Sequence, residues 1–188
     1  MKAEERKNLY DNLNVRDFVA SDDVRAFVGK NYDEYSDIWL SDYAKKHEPR
    51  RVIFSLHFNL LALVITPAWF AYRKMYKVWA ALLAFMCVIS FIEAAMHQDL
   101  PVGAYIGAFV ALSITSKGLY FGHVLEEMHK IKNYSEAGKQ KYIQRFGGVS
   151  VMQSIILMII YLAILLGVQI LGEKIWPPLN NYIAWPSE

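Results

Sequence analysis

Residues 52–76 read VIFSLHFNLLALVITPAWFAYRKMY, and the fold depends on whether this stretch crosses a membrane. An α-helix rises about 1.5 Å per residue, so roughly 20 residues cover a ~30 Å hydrocarbon core. The apolar part, residues 52–72, is therefore long enough. It carries His57 and Asn59 early, however, and Pro67 in its second half. Proline removes a backbone donor and clashes with the preceding turn. Broken backbone at membrane depth survives only where neighbours or water satisfy it. The stretch is thus either a kinked span or a hairpin that dips in and returns.

Three further apolar runs lie downstream, at residues 78–96, 101–122 and 149–171, and the last holds no charge in 23 residues. A chain of 188 residues cannot bury four such helices in a soluble core. Upstream, residues 1–51 are polar, with ten Lys/Arg and eleven Asp/Glu. The count of basic residues separates the two threadings, because short cytoplasmic segments collect Lys and Arg. If all four runs cross, eleven basic residues face one side and nine the other. If residues 52–72 do not cross, nineteen share the side of the N-terminus and one remains opposite.

The sequence therefore predicts an all-α polytopic membrane helical bundle. Its first apolar segment, 52–72, is re-entrant, kinked or interfacial. Three full spans follow, at 78–96, 101–122 and 149–171. Residues 1–51 form a cytoplasmic, amphipathic helical region and residues 123–148 a second cytoplasmic segment. The Trp/Pro-rich tail, 172–188, faces outward, with Trp176, Tyr182 and Trp185 as an aromatic anchor and Pro177–Pro178 ending the last helix.

In the N-terminal region Ser21 and Gly29 suit the two caps of a short helix carrying Val24, Phe27 and Val28. A second helix is expected from about Tyr32 to Lys46. Tyr32, Tyr35, Trp39, Leu40 and Tyr43 share one of its faces. Such a stripe fits either a membrane interface or packing against the tail or the 117–148 segment. Lys45, Lys46, Arg50 and Arg51 form a basic knot. The third run is expected to continue as a helix through Ile131, and Ser135 to cap a shorter helix ending at Gly147–Gly148.

Composition limits the chemistry. Net charge is only +2 and gives no sign of nucleic-acid binding. The single cysteine, Cys87, lies in an apolar run and excludes an intramolecular disulfide. The first fifty residues contain no apolar core of signal-peptide length. There is no Gly-rich phosphate loop and no nucleophile elbow.

Ionisable groups inside membrane runs are functional candidates. Glu93, with His97 and Asp99 beside it, suits an outward-facing cation or proton site, and His57 could join it on an ion path. Lys117 lies near the inner end of its run, roughly 18 Å from Glu93 in an antiparallel hairpin, too far to pair. His57 and Asn59 could instead satisfy backbone broken near Pro67. His123, Glu126, Glu127 and His129 have metal-ligand side chains. Bundle metal sites need several Glu-x-x-His steps, though, and only one occurs here. No metal, cofactor or catalytic residue is assigned. Gly103, Gly107 and Ala111 recur every fourth residue, which permits close helix approach inside the chain or between copies. Trp69, Tyr72, Arg73, Lys74 and Tyr76 read as an interface anchor or headgroup contact, with Arg73 and Lys74 snorkelling toward the lipid headgroups.

The block WFAYRKMY at residues 69–76 also carries a resemblance. Phe27-Val28-Gly29 and Phe58-Asn59 lie upstream of it; Leu119-Tyr120, His123 and Gly147-Gly148 lie downstream. Over roughly residues 25–170 this pattern resembles a bacterial family of small inner-membrane proteins classed as a domain of unknown function. The resemblance implies a bacterial inner membrane and carries over no catalytic residue; with the division of basic residues, it gives an expected cytoplasmic N-terminus and periplasmic C-terminus. A non-enzymatic scaffold, accessory subunit or partner-binding anchor is expected, in the lipid bilayer and with a protein partner or a homo-oligomer. An oligomeric channel or transporter using Glu93 and His57, and an interfacial lipid-acting enzyme, are the alternatives. A reporter enzyme fused after Glu188 should lack cytoplasmic activity; full cytoplasmic activity would reverse the predicted threading.

Overall fold

The computed structural model describes residues 3–54 and 56–176, and the tail beyond, with Pro177, Pro178, Tyr182 and Trp185, lies outside them. No strand occurs among the described residues. The first four helices are α1 (Ala3–Asp11), α2 (Val15–Ala20), α3 (Asp22–Val28) and α4 (Tyr32–Lys46). Asn14 and Ser21 N-cap α2 and α3 through their side-chain oxygens. Gly29 closes α3 at φ +74°, a left-handed region that favours glycine. Val24, Phe27 and Val28 are buried, as the pattern predicts. The apolar stripe of α4 is settled too: Tyr32, Tyr35 and Trp39 turn into the protein core.

Residues 49–72 form three short helices, α5 (Pro49–Ile53), α6 (Leu60–Val64) and α7 (Thr66–Tyr72). Three long helices follow that are apolar enough to cross a membrane: α8 (Tyr76–Met96), α9 (Val102–Ile131) and α11 (Val151–Ile175). Between the last two lies α10 (Glu136–Phe146), capped by Ser135 and ended at Gly147. The helix α11 runs four residues beyond the apolar run, and Trp176 meets Phe91 of α8 edge-on at 6.3 Å.

The first apolar segment enters and leaves at one end of the bundle. At its entry, Ile53 lies against Gly118 of α9. His57 N then donates to Ile114 O at 2.9 Å. Asn59 is held by Ser113 and Ser116: Ser113 Oγ donates to Asn59 O at 2.7 Å and Asn59 Nδ2 donates to Ser116 Oγ at 3.1 Å. From Gly118 to Ser113 the descent is five residues, or roughly 8 Å. The helix breaks at Ile65, two residues before Pro67, and α7 climbs back along α11. Ser154 Oγ donates to Ala68 O at 2.7 Å, and Ser150 N donates to Tyr72 O at 3.0 Å. The segment doubles back on itself between α9 and α11. Asn59 does what the sequence allowed it to do near a broken helix: it caps α6 by accepting from Ala62 N at 3.2 Å. The Thr66 hydroxyl satisfies the Ala62 carbonyl across the break.

The hairpin is the wedge of the bundle. Along one side α6 packs on α9, along the other α7 packs on α11, and α8 packs on α11 and α7. The polar helices α1–α4 and α10 cover the end at which the hairpin enters, here termed the capped end.

Close approach at Gly118 makes this packing possible. A Cβ there would come within 2.1 Å of the Ile53 carbonyl oxygen. By contrast, Gly103 and Gly107 have nothing within 4 Å of the same position, and Ala111 is exposed. Among the described residues, the two glycines of the every-fourth-residue stripe therefore make no close helix contact. Gly118→Ala should lower stability in detergent by about 1–3 kcal/mol, the range for overpacking. Gly107→Ala should leave the melting temperature unchanged.

Candidate functional site

The capped end holds the densest set of functional-type side chains. At its centre Arg73 is only 2% exposed. Its guanidinium lies over the rings of Tyr35 at 4.6 Å and Tyr120 at 4.9 Å, with Tyr72 at 5.8 Å. Arg73 Nη1 donates to the Val28 carbonyl at 3.5 Å, and Nε has no partner among the described residues. No carboxylate pairs with Arg73 there. Trp69 and Trp39 pack around Tyr120, and Trp39 Nε1 donates to Lys117 O at 3.1 Å. One residue each from α4, the end of α7 and α9 thus form a cation–π stack that joins the polar helices to the bundle. Burial pushes the Tyr35 hydroxyl pKa up, and Arg73 beside it works in the opposite direction.

This burial corrects the expected snorkelling of Arg73. The residue stands at the C-terminal end of α7, where its side chain meets α4 rather than lipid. Trp69 is also buried, at 3% exposed. Lys74 turns away through a left-handed backbone, φ 57°, and donates to Gly147 O at 2.6 Å and Arg145 O at 3.0 Å. Tyr76 is exposed and donates to Gln153 Oε1 at 2.7 Å. Of the five anchor residues, Tyr72, Lys74 and Tyr76 keep a surface.

Further links tie cap to bundle. His57 Nε2 lies 2.8 Å from Asp42 Oδ2, a carboxylate of α4 that the fold buries. Lys117 pairs with Glu34 at 2.7 Å, not with Glu93. Gly148 N donates to Phe27 O at 2.6 Å. His129 lies 3.5 Å from Glu5.

The His123–His129 stretch becomes a fastening for α10. Tyr142 Oη donates to Glu127 Oε2 at 2.5 Å, and Lys130 holds the other oxygen. Burial and this hydrogen bond together push the Tyr142 hydroxyl up. His123 stacks on Tyr120 at 6.2 Å. No three His, Cys, Asp or Glu side chains converge on a metal position among the described residues.

At the opposite end, a cavity of about 640 Å³ brings together Glu93, His97, Asp99 and Tyr105 with Gln169 and Glu173 of α11. Glu93 accepts from Leu100 N at 2.8 Å and from the Tyr105 hydroxyl. Sequence reading missed Glu173 because it lies past the apolar run, and no spacing relates it to α8. His57 does not reach this cavity. It lies beside Ile114, nine residues or roughly 13 Å along α9 from Tyr105.

Residues 7–125 match the family model described as "Protein of unknown function (DUF2628)". The chain belongs to this family. The match starts before Ser21, earlier than the resemblance reaches, and stops short of α10 and α11. It contains every ring of the stack around Arg73. No curated protein and no solved structure matches the chain.

Arg73→Lys should loosen the cap, because an ammonium lacks the planar face that stacks between two rings. The expected loss is about 2 kcal/mol, the scale of a desolvated cation–π contact. It would be read as faster protease cleavage between α3 and α4. Cleavage at the wild-type rate would show that the stack does not hold the cap.

Proposed function

We propose that this member of the family is a non-enzymatic protein of the bacterial inner membrane, whose capped end is cytoplasmic and binds a protein partner. The carrying observation is that the polar helices are built into the bundle rather than tethered to it. Arg73, Trp39, the Asp42–His57 pair and the Phe27–Gly148 bond fix them at four separate points. A rigid surface costs little ordering entropy on binding, which suits a docking platform.

That surface has a place for a partner. A groove of about 330 Å³ runs between α1–α3 and the free end of α9, with Leu9, Leu13, Phe18 and Met128 at its floor and His129 and Lys132 at its rim. An apolar floor with a charged rim is the usual anatomy of a protein interface. The cytoplasmic orientation is supported by the nineteen-to-one division of basic residues.

The channel reading is weaker on geometry. It needs Glu93 and His57 on one path, and within one chain they face different surroundings.

Affinity isolation of the tagged full-length protein from membranes should recover one protein partner in fixed ratio. Leu9→Glu, in the groove floor, should cut recovery at least tenfold while the melting temperature holds. Full recovery with Leu9→Glu would remove the groove from the interface. Loss of ion flux with Glu93→Gln and His57→Ala would favour the channel instead.

A further inference from the structure

A second groove, independent of the partner-binding reading, lies on the membrane flank of the hairpin. It encloses about 480 Å³ between Leu61, Ile65 and Trp69 on the hairpin side and Val151, Ile155 and Leu162 on α11. Its two walls differ in length. The helix α11 continues across the membrane, but the hairpin turns back. From Val151 to Leu162 is eleven residues, or roughly 16 Å of rise. Half of a ~30 Å hydrocarbon core is ~15 Å. The groove is one leaflet deep.

Its mouth opens at the capped end, where Ser150 N bonds to Tyr72 O. The electrostatics there are one-sided. Arg73, Lys74 and Arg145 lie within a few residues of the mouth, and none forms an ion pair among the described residues. Lys74 binds only main-chain carbonyls, and Arg145 is exposed with its guanidinium 5.2 Å from the Phe146 ring. The first turn of α11 starts at the same place, with the positive end of its dipole, and Ser150 Oγ caps it by accepting from Gln153 N. Arg73 is buried and adds field rather than contact.

We infer that this groove seats one acyl chain of an anionic phospholipid from the leaflet at the capped end, with its phosphate at Lys74, Arg145 and the first turn of α11. The apolar lining excludes a polar ligand. A transmembrane helix of a partner needs a wall through both leaflets, whereas the hairpin lines only one. The uncompensated positive charge selects an anionic headgroup over a zwitterionic one.

The full-length protein in detergent, titrated by native mass spectrometry with phosphatidylglycerol and with phosphatidylcholine of the same acyl chains, tests this. One phosphatidylglycerol per chain should bind several-fold more tightly than phosphatidylcholine. Arg145→Gln should weaken phosphatidylglycerol about fivefold, the effect of one basic side chain near a headgroup, and leave phosphatidylcholine unchanged. Ile155→Trp fills the groove and should abolish the tight site for both lipids. If Ile155→Trp lowers the melting temperature, Ile159→Trp on the next turn repeats the test. Equal binding of the two lipids by the wild type, or undiminished binding in the groove-filled variant, overturns the inference.

Discussion

A guanidinium held between two tyrosine rings, with no carboxylate paired to it among the described residues, sets the arrangement of the capped end. Removing a charge from water is expensive, and an Arg cannot escape the cost by losing its proton. The stack on Tyr35 and Tyr120 and the Val28 carbonyl return part of it. Each of those groups comes from a different helix. Arg73 is therefore satisfied only when α3, α4, α7 and α9 are assembled at once, so the contact favours one arrangement of the cap over its alternatives. Hydrophobic burial around it, from Trp39, Trp69 and Phe121, supplies the non-directional part of the stability.

The hairpin depends on that same assembly. A chain that enters a bilayer and leaves on the same side exposes backbone groups that no regular helix satisfies. Here α9 satisfies them with hydroxyls. Ser113 and Ser116 are fully buried, and both face Asn59. Gly118 lets the incoming strand of chain lie directly on the α9 backbone. Small and hydroxylic residues on one face of α9 thus do for the hairpin what water does for an ordinary loop. In turn, the hairpin separates α9 from α11 and leaves grooves at the capped end and on the membrane flank.

These features give the two ends of the molecule different characters. The capped end is rigid, aromatic and cross-braced, with an apolar-floored groove on its polar surface. The other end has a polar cavity whose main carboxylate, Glu93, is already engaged by Leu100 and Tyr105. A protein that works by presenting a fixed surface fits the first arrangement better than one that moves ions fits the second.

The sequence by itself determined the all-α class and the three long apolar helices, and it marked the first apolar segment as the irregular one. Run length and Pro67 are local properties, and the distribution of basic residues is a sum over segments, so neither needs coordinates. The caps at Ser21, Gly29 and Ser135 were legible for the same reason. What only the tertiary structure decided was which side chains meet. The sequence assigned Arg73 to the headgroups; packing of α4 on the bundle buried it, and buried Asp42 with it. The small-residue stripe at Gly103, Gly107 and Ala111 attracted attention by its repeat, yet the glycine of α9 that another segment's backbone lies against is Gly118. Periodicity reports a face of one helix. It cannot report what another helix, 40 or 80 residues away in the chain, lays against that face.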